Sequence, residues 1–314
     1  MSNLLVRVLV AVIGIPVIVA LTMAGGWWFV IFVAIVSSLA LREYYLLAGA
    51  KSVIPQAGMG IVFGLFVTLT FFHGRLQLLL LEFLHAHGMS APLPTMAQTF
   101  LILFLVFVPV VFLYELFRNK PGALTNSAVT LAGVSYVSLF LGSLVGLREL
   151  FIPGDFPIYA YFPVYGPNVP EEIVATVYRW GGFTVLTVFA AIWVCDSAAY
   201  FAGKAWGKHK LFPRVSPNKS WEGAVAGFCA AVLVFLGARS LVLPYLTLEN
   251  ALICGIIVGV FGQLGDLAES LLKRDAGVKD SSNLIPGHGG VLDRFDSLLF
   301  VSPLIFLYLD FIVF

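Results

Sequence analysis

The chain has 314 residues, 60% of them hydrophobic and only 11% charged, where a soluble domain carries about 25% charged residues. Together with a mean hydropathy of +0.98, this excludes an ordinary soluble enzyme, a disordered chain and a fibrous repeat. Lys and Arg number 18 and Asp and Glu 17, a net charge of +1, so only the placement of charge speaks about partners.

A membrane-crossing helix needs roughly 20 apolar residues. In chain order, nine stretches qualify: 4–24, 27–47, 55–72, 97–117, 125–146, 181–202, 222–243, 250–271 and 297–314. The first has no small-residue cleavage site and is too long for a signal peptide, so it is read as a permanent helix. The stretch 76–87 is too short and carries Glu82, His85 and His87; it reads as interfacial or re-entrant. His85 and His87, two apart, would face different sides of a helix and do not form a metal site. The loop 147–180 holds five prolines and reads as an irregular outer lid. The pairs Gly60/Gly64, Gly142/Gly146, Gly223/Gly227 and Gly255/Gly259 have the spacing of close helix packing. Cys195, Cys229 and Cys254 lie in apolar runs and read as small buried hydrophobes. The expected fold is all-α: a polytopic integral membrane protein with about nine transmembrane helices and a cytoplasmic N-terminus. It divides into an N-terminal transmembrane bundle, 1–180, and a C-terminal catalytic region, 181–314.

Charge tests that topology. With the N-terminus inside and the spans alternating, cytoplasmic segments hold Arg7, Arg42, Lys51, Arg118, Lys120, Lys204, Lys208, Lys210, Arg214, Lys219, Lys273, Arg274, Lys279 and Arg294. The outer side holds only Arg75, Arg148, Arg179 and Arg239, a strong positive-inside bias.

Ionisable side chains within spans cost a few kcal/mol each and need a reason. Asp196, Glu222, Asp266 and Glu269 all lie toward the cytoplasmic ends of their spans, and Asp293 and Asp296 open the last one. On a helix Asp266, Ser270 and Lys273 share a face. Asp293 and Asp296, three apart, point the same way and repel, a conflict that a bound cation resolves. Oxygen-only ligands without a His or Cys cluster suit Mg²⁺ rather than zinc. Between the acids, Pro286-Gly287-His288-Gly289-Gly290 offers bare backbone amides to phosphate oxygens, and His288 is a candidate substrate contact. Lys273, Arg274, Lys279 and Arg294 add positive charge beside it. Acids for a metal, cationic side chains and a glycine loop make a set suited to phosphoryl or nucleotidyl transfer. The preceding loop, Ser216-Pro217-Asn218-Lys219-Ser220-Trp221-Glu222-Gly223, interleaves basic and aromatic residues. In a membrane context these suit anionic lipid headgroups rather than nucleic acid.

The segment Ser270 to Asp296 resembles the signature of the phosphatidate cytidylyltransferase (CDP-diacylglycerol synthase) family. Ser270, Lys273, Arg274, Lys279, Asp280, Pro286, His288, Gly289, Gly290, Asp293, Arg294 and Asp296 fit that pattern without a gap. Asp196 to Gly207 and Ser216 to Gly223 look like the family's preceding loops, whereas the N-terminal half agrees only in hydropathy. The resemblance implies a nucleotidyltransferase of phospholipid biosynthesis: CTP and phosphatidic acid give CDP-diacylglycerol and pyrophosphate. It further implies Mg²⁺, with a monovalent cation such as K⁺ in some members, membrane lipids as surroundings, a homodimer, no nucleic acid, and an active site on the cytoplasmic face, as in a bacterial inner membrane. By position, Asp266, Asp293 and Asp296 would hold the metal. Lys219, Lys273, Arg274 and Lys279 would contact phosphates, Asp280 and His288 would shape the pocket, and Asp196, Ser220, Gly289, Gly290 and Arg294 would line it. Two other readings fit fewer features: a CTP-dependent polyprenol or phytol kinase, and an ion-coupled transporter using Asp196, Asp266 and Glu269.

Overall fold

Lipid offers no partners for backbone N–H and C=O groups, so a chain that crosses it satisfies them within helices. The computed structural model describes residues 3–152, 156–162, 169–287 and 289–314. In chain order it has α1 (Asn3–Ala24), α2 (Gly26–Gly49), α3 (Ala57–Thr70), α4 (His73–Ala86), α5 (Met96–Arg118), α6 (Ala123–Glu149), the short α7 (Ile158–Tyr161) and α8 (Glu171–Trp206). An antiparallel hairpin of β1 (Lys210–Phe212) and β2 (Ser216–Ser220) follows, then α9 (Trp221–Leu241), α10 (Leu248–Asp275) and α11 (Leu292–Val313).

Seven helices among the described residues are long and apolar enough to span: α2, α5, α6, α8, α9, α10 and α11. Helices α3 and α4 meet at 79° and form a bent pair, an eighth crossing if the pair is one span. Over the first expected stretch, Val8–Ala24 is a shorter apolar helix. The all-α polytopic fold stands, and the count of nine is approximate.

Helix α8 is longer than any stretch the hydropathy marked. Its 36 residues reach about 54 Å at 1.5 Å per residue, well beyond a hydrocarbon core of about 30 Å. It begins at Glu171, so the irregular lid expected through residue 180 ends ten residues earlier, and the division at 180 falls inside a continuous helix. Glu171 and Glu172 occupy its first turn, where the helix dipole favours acids.

The paired glycines sit where helices touch. A Cβ on Gly223 or Gly227 would press on the Ala199 and Cys195 carbonyls of α8, and one on Gly142 or Gly146 would meet the Phe71 ring. Cys195 and Cys254 are buried as expected, but Cys229 is exposed on α9; an apolar residue on a lipid-facing helix surface needs no protein cover.

Two buried clasps fix the ends of the N-terminal bundle. Arg148 is fully buried and donates to the Thr22, Met23 and Tyr178 carbonyls at 2.7, 3.2 and 3.2 Å, closing the C-terminal end of α1. Gly25, at φ +63°, leaves room for that guanidinium. Beside it Glu149 accepts from the Gly26 amide, the Tyr178 hydroxyl and Arg75. At the other end Glu115 accepts from Gln56, Asn126 and Arg118, and Lys51 pairs with Asp275 at 3.1 Å. Arg75 and Arg148 thus share one end of the bundle, and Lys51 shares the other with the end of α10, the grouping that the charge alternation expects.

Gly255 gives a test of this packing. A Cβ there would stand 2.6 Å from the Val232 Cα of α9, whereas Gly237 on α9 has nothing within 4 Å. Gly255→Ala should cost about 1–3 kcal/mol, the usual overpacking range, and Gly237→Ala should leave stability within about 0.5 kcal/mol. Thermal unfolding of the two variants in detergent checks the difference.

Candidate functional site

The site forms where α8, the hairpin, α10 and the start of α11 meet. Asp196 comes from α8. A turn of π-helix at Val258–Gly262, just before Asp266, re-aims the last turns of α10. Gln263 holds that irregular turn against α9 by donating to the Ala224 and Gly259 carbonyls at 3.0 and 2.6 Å. The hairpin registers Lys210 with Ser220 and Phe212 with Ser216. It thereby carries Lys219 onto α10, where the ammonium meets the Asp266 carboxylate at 2.7 Å. Both partners remain about 30% exposed, so the pair faces open space. The other Asp266 oxygen accepts from Ser270 at 3.2 Å, one turn on. Ser220 caps α9 by accepting from the Gly223 amide at 3.2 Å, which leaves its O–H free to donate.

Lys273 has a different setting from Lys219. It is nearly buried and lies 2.5 Å from Glu269 on its own helix and 2.6 Å from Asp293 on α11. The second Asp293 oxygen accepts from the Ser281 amide, the Ser281 hydroxyl and the Gly290 amide at 2.9, 3.0 and 2.7 Å. Asp293, read from sequence as a metal ligand, is therefore tied to Lys273 and to the loop. The Gly290 amide, read as a phosphate donor, is turned onto Asp293. Arg274 donates to the Val215 and Val278 carbonyls at 3.4 and 3.1 Å and joins the hairpin to the loop. Gly289, at φ +84°, lies in the left-handed region that favours glycine and bridges back to Ile285. Lys279 and Asp280 are exposed. His288 lies outside the described residues.

Two cavities share Asp196 and Asp266 as a common wall. One, of about 330 Å³, is lined by these two with Lys273, Asp280, Asp293, Arg294, Asp296 and the apolar Phe189, Ile192 and Trp193. The other, of about 550 Å³, adds Lys204, Asn218, Lys219, Ser220 and Gln263 to Ala199, Tyr200, Leu211 and Ala224. Lys279 and Gly289 line neither. Asp196, Asp266 and Asp296 thus converge on one space with oxygen donors alone, the donor chemistry of Mg²⁺. Among the described residues, no three His, Cys, Asp or Glu side chains stand close enough together to hold a metal ion as they are placed. Sequence reasoning missed Glu43 of α2, which is buried against the loop. The signal is in the sequence, an acid inside the apolar stretch 27–47.

Known proteins resemble this chain along most of its length. The sequence model described as "Cytidylyltransferase family" matches residues 5–312. A protein of Synechocystis named phosphatidate cytidylyltransferase is 35% identical over 315 aligned residues, 96% of this chain and 95% of its own length. Proteins of the same name from Bacillus subtilis and Haemophilus influenzae are 47% and 48% identical over 134 and 127 residues. Those alignments cover 42% and 39% of this chain, and 49% and 44% of the relatives.

The bridge at Lys273 generates a stability test. Removing one member of a buried ion pair strands its partner, at about 3–5 kcal/mol. Lys273→Met should therefore lower thermal stability by that order, and adding Glu269→Gln should restore part of it by removing one stranded charge. Unfolding curves of the single and double variants in detergent check the sign of the coupling.

Proposed function

The chain belongs to the cytidylyltransferase family and is an integral membrane nucleotidyltransferase that makes CDP-diacylglycerol and pyrophosphate from CTP and phosphatidate; we propose that it does so in the two cavities that share Asp196 and Asp266. The observation that carries this placement is the pair of Lys219, on the wall of the larger cavity, with Asp266, which lines both, a cation and an acid from different elements facing the same open space. The larger cavity mixes Lys204 and Lys219 with apolar side chains and suits a phosphate head joined to acyl chains. The smaller one, with Lys273, Arg294 and five carboxylates, suits the nucleotide's phosphates and their counter-ion.

In the reaction a phosphate oxygen of phosphatidate bonds to the α-phosphorus of CTP, and the bond from that phosphorus to pyrophosphate breaks. The attacking oxygen is already anionic, so no side chain has to remove a proton. The protein's task is to bring two anions together and neutralise the charge that leaves. Lys219 and Arg294 supply fixed positive charge at the cavity walls. The oxygen donors support Mg²⁺, held by Asp266 and Asp296 with Asp196 beside them; when bound, the ion would screen the phosphates and stabilise departing pyrophosphate. Asp293, Lys273 and Arg274 serve in this reading to hold the walls in place. The charge asymmetry of the loops supports a cytoplasmic site, in a bacterial inner membrane if the source resembles its relatives. The family resemblance supports a homodimer and, in some members, K⁺ beside Mg²⁺.

Incubation with phosphatidate and CTP labelled at the α-phosphorus tests the placement when run on wall variants. Label should enter CDP-diacylglycerol, with pyrophosphate released; a labelled CDP product and a phosphorylated lipid would instead mark a kinase. Lys219→Ala should cut turnover by roughly one to three orders of magnitude, the range of one preorganised electrostatic contact. Activity within about twofold of the parent would remove Lys219 from the site.

The metal assignment separates Asp296 from Asp293. Asp296→Asn and Asp266→Asn should each nearly abolish turnover and raise the Mg²⁺ needed for half-maximal rate, with melting temperature little changed. Asp293→Asn should lower melting temperature as well, because it weakens the bridge to Lys273. Initial rates across a Mg²⁺ titration, alongside thermal unfolding, distinguish these outcomes; full specific activity in Asp296→Asn would overturn the assignment.

A further inference from the structure

Glu43 is 2% exposed in α2, next to the exposed Arg42, and an ionised carboxylate so buried is costly unless strongly bonded. Among the described residues no Lys or Arg pairs with it. Its two oxygens accept instead from the Ser282 hydroxyl at 2.6 Å, the Leu292 amide at 2.7 Å, the Ser281 hydroxyl at 2.9 Å and the Val291 amide at 3.0 Å. All four donors belong to the segment that closes the loop and opens α11. The two amides stand at the start of that helix, where unsatisfied N–H groups and the helix dipole favour an anion.

Two neighbouring features fit around this carboxylate. A Cβ on Gly290 would collide with the Ser281 hydroxyl and the Glu43 carboxylate, so the glycine there makes way for Glu43. The Ser281 hydroxyl lies between Glu43 and Asp293 and has one hydrogen to give to either. A polar chain therefore runs from Glu43 through Ser281 and Asp293 to Lys273, ending at side chains that line the smaller cavity. Glu43 itself lines neither cavity.

We propose that Glu43 is a positioning residue: from the N-terminal half of the chain it sets where the 281–292 segment, and with it Asp293, Arg294 and Asp296, stands against α8 and α10. This rests on the reading of the pocket given above. Misplacing reacting groups by about 1 Å can cost a hundredfold in rate, so a carboxylate that never touches substrate can govern turnover through the loop.

The test uses the full chain in detergent with Glu43→Gln, Ser282→Ala and the double variant. Glutamine keeps the size but turns one acceptor into a donor facing groups that already donate. Hydrogen exchange without substrate should speed by about tenfold or more at the amides of 290–293 in Glu43→Gln, as expected of local opening, with the 210–220 hairpin unchanged. The rate constant kcat should fall about ten- to hundredfold while KM for CTP stays within about threefold, the pattern of misplacement rather than lost binding. Ser282→Ala should show a smaller fall, and the double variant should be no slower than Glu43→Gln, since both act through one segment. Unchanged exchange in Glu43→Gln, kcat retained per folded molecule, or a multiplicative double variant would each overturn the proposal. If Glu43→Gln does not fold, Ser282→Ala decides: faster exchange with lower kcat and unchanged melting temperature supports it, and parental values refute it. The exchange readout needs no substrate, so it stands or falls independently of whether Lys219→Ala bears out the pocket.

Discussion

Lys273 occupies a place where charge balance does not close. It is nearly buried, and two carboxylates, Glu269 and Asp293, stand within salt-bridge distance of its one ammonium. Two buried carboxylates without that cation would repel strongly in a poor dielectric, so α10 and α11 keep their register only while Lys273 stays between them. From there the dependence spreads outward. The free side of Asp293 gathers Ser281 and Gly290, and these position the loop against Glu43. Arg274, the next residue along, joins that loop to the hairpin through two carbonyls. The interior around the site thus carries more acid than base before any substrate arrives. Both substrates are themselves anions, an excess that the proposed metal ion would offset.

The opposite end of the bundle shows what similar groups do when they are only structural. Arg148 and Glu149 are as deeply buried as anything near the site. Yet the guanidinium spends its donors on backbone carbonyls and stacks at 4.0 Å over Tyr178, and neither residue lines the two cavities. Burial of charge alone does not mark a site. What sets the α8–α10 end apart is that Asp196, Asp266 and Asp296 reach a shared open space, with Lys219 paired to Asp266 from the adjoining cavity.

Much of this was legible because lipid imposes a length and a composition on every crossing helix. The seven long spans follow from that rule, and the Asp266–Ser270 contact follows from helical spacing. Hydropathy has no sense of direction, so it could not show that α3 and α4 form a corner or that α8 runs polar residues on past the bilayer. The hairpin was hidden by Pro213 and Pro217, which make the segment read as a loop, although its register alone brings Lys219 to Asp266. Asp293 and Asp296 looked equivalent at three residues apart. They diverge in their partners, Asp293 held by Lys273 and two loop amides and Asp296 by the Ser297 amide beside it, although both line the cavity, a distinction carried by the fold around them and not by spacing. Glu43 was the hardest to read, since its partners lie more than two hundred positions away.

That distance bears on how a dense motif should be understood. Within Ser270 to Asp296, Gly290 makes room for Glu43, Arg274 holds backbone carbonyls, and Asp293 is a joint between helices. Only some of its polar residues, Arg294 and Asp296 among them, remain directed at the cavity. A catalytic motif in a membrane bundle has to solve a problem that a soluble enzyme can leave to its core, because apolar packing between helices gains little when lipid is equally apolar. Hydrogen bonds and ion pairs at the helix ends then set the relative placement of the spans. The residues that fix geometry and the residues that meet substrate come to be adjacent in sequence, since both are drawn to the one end of the bundle where polar groups find partners.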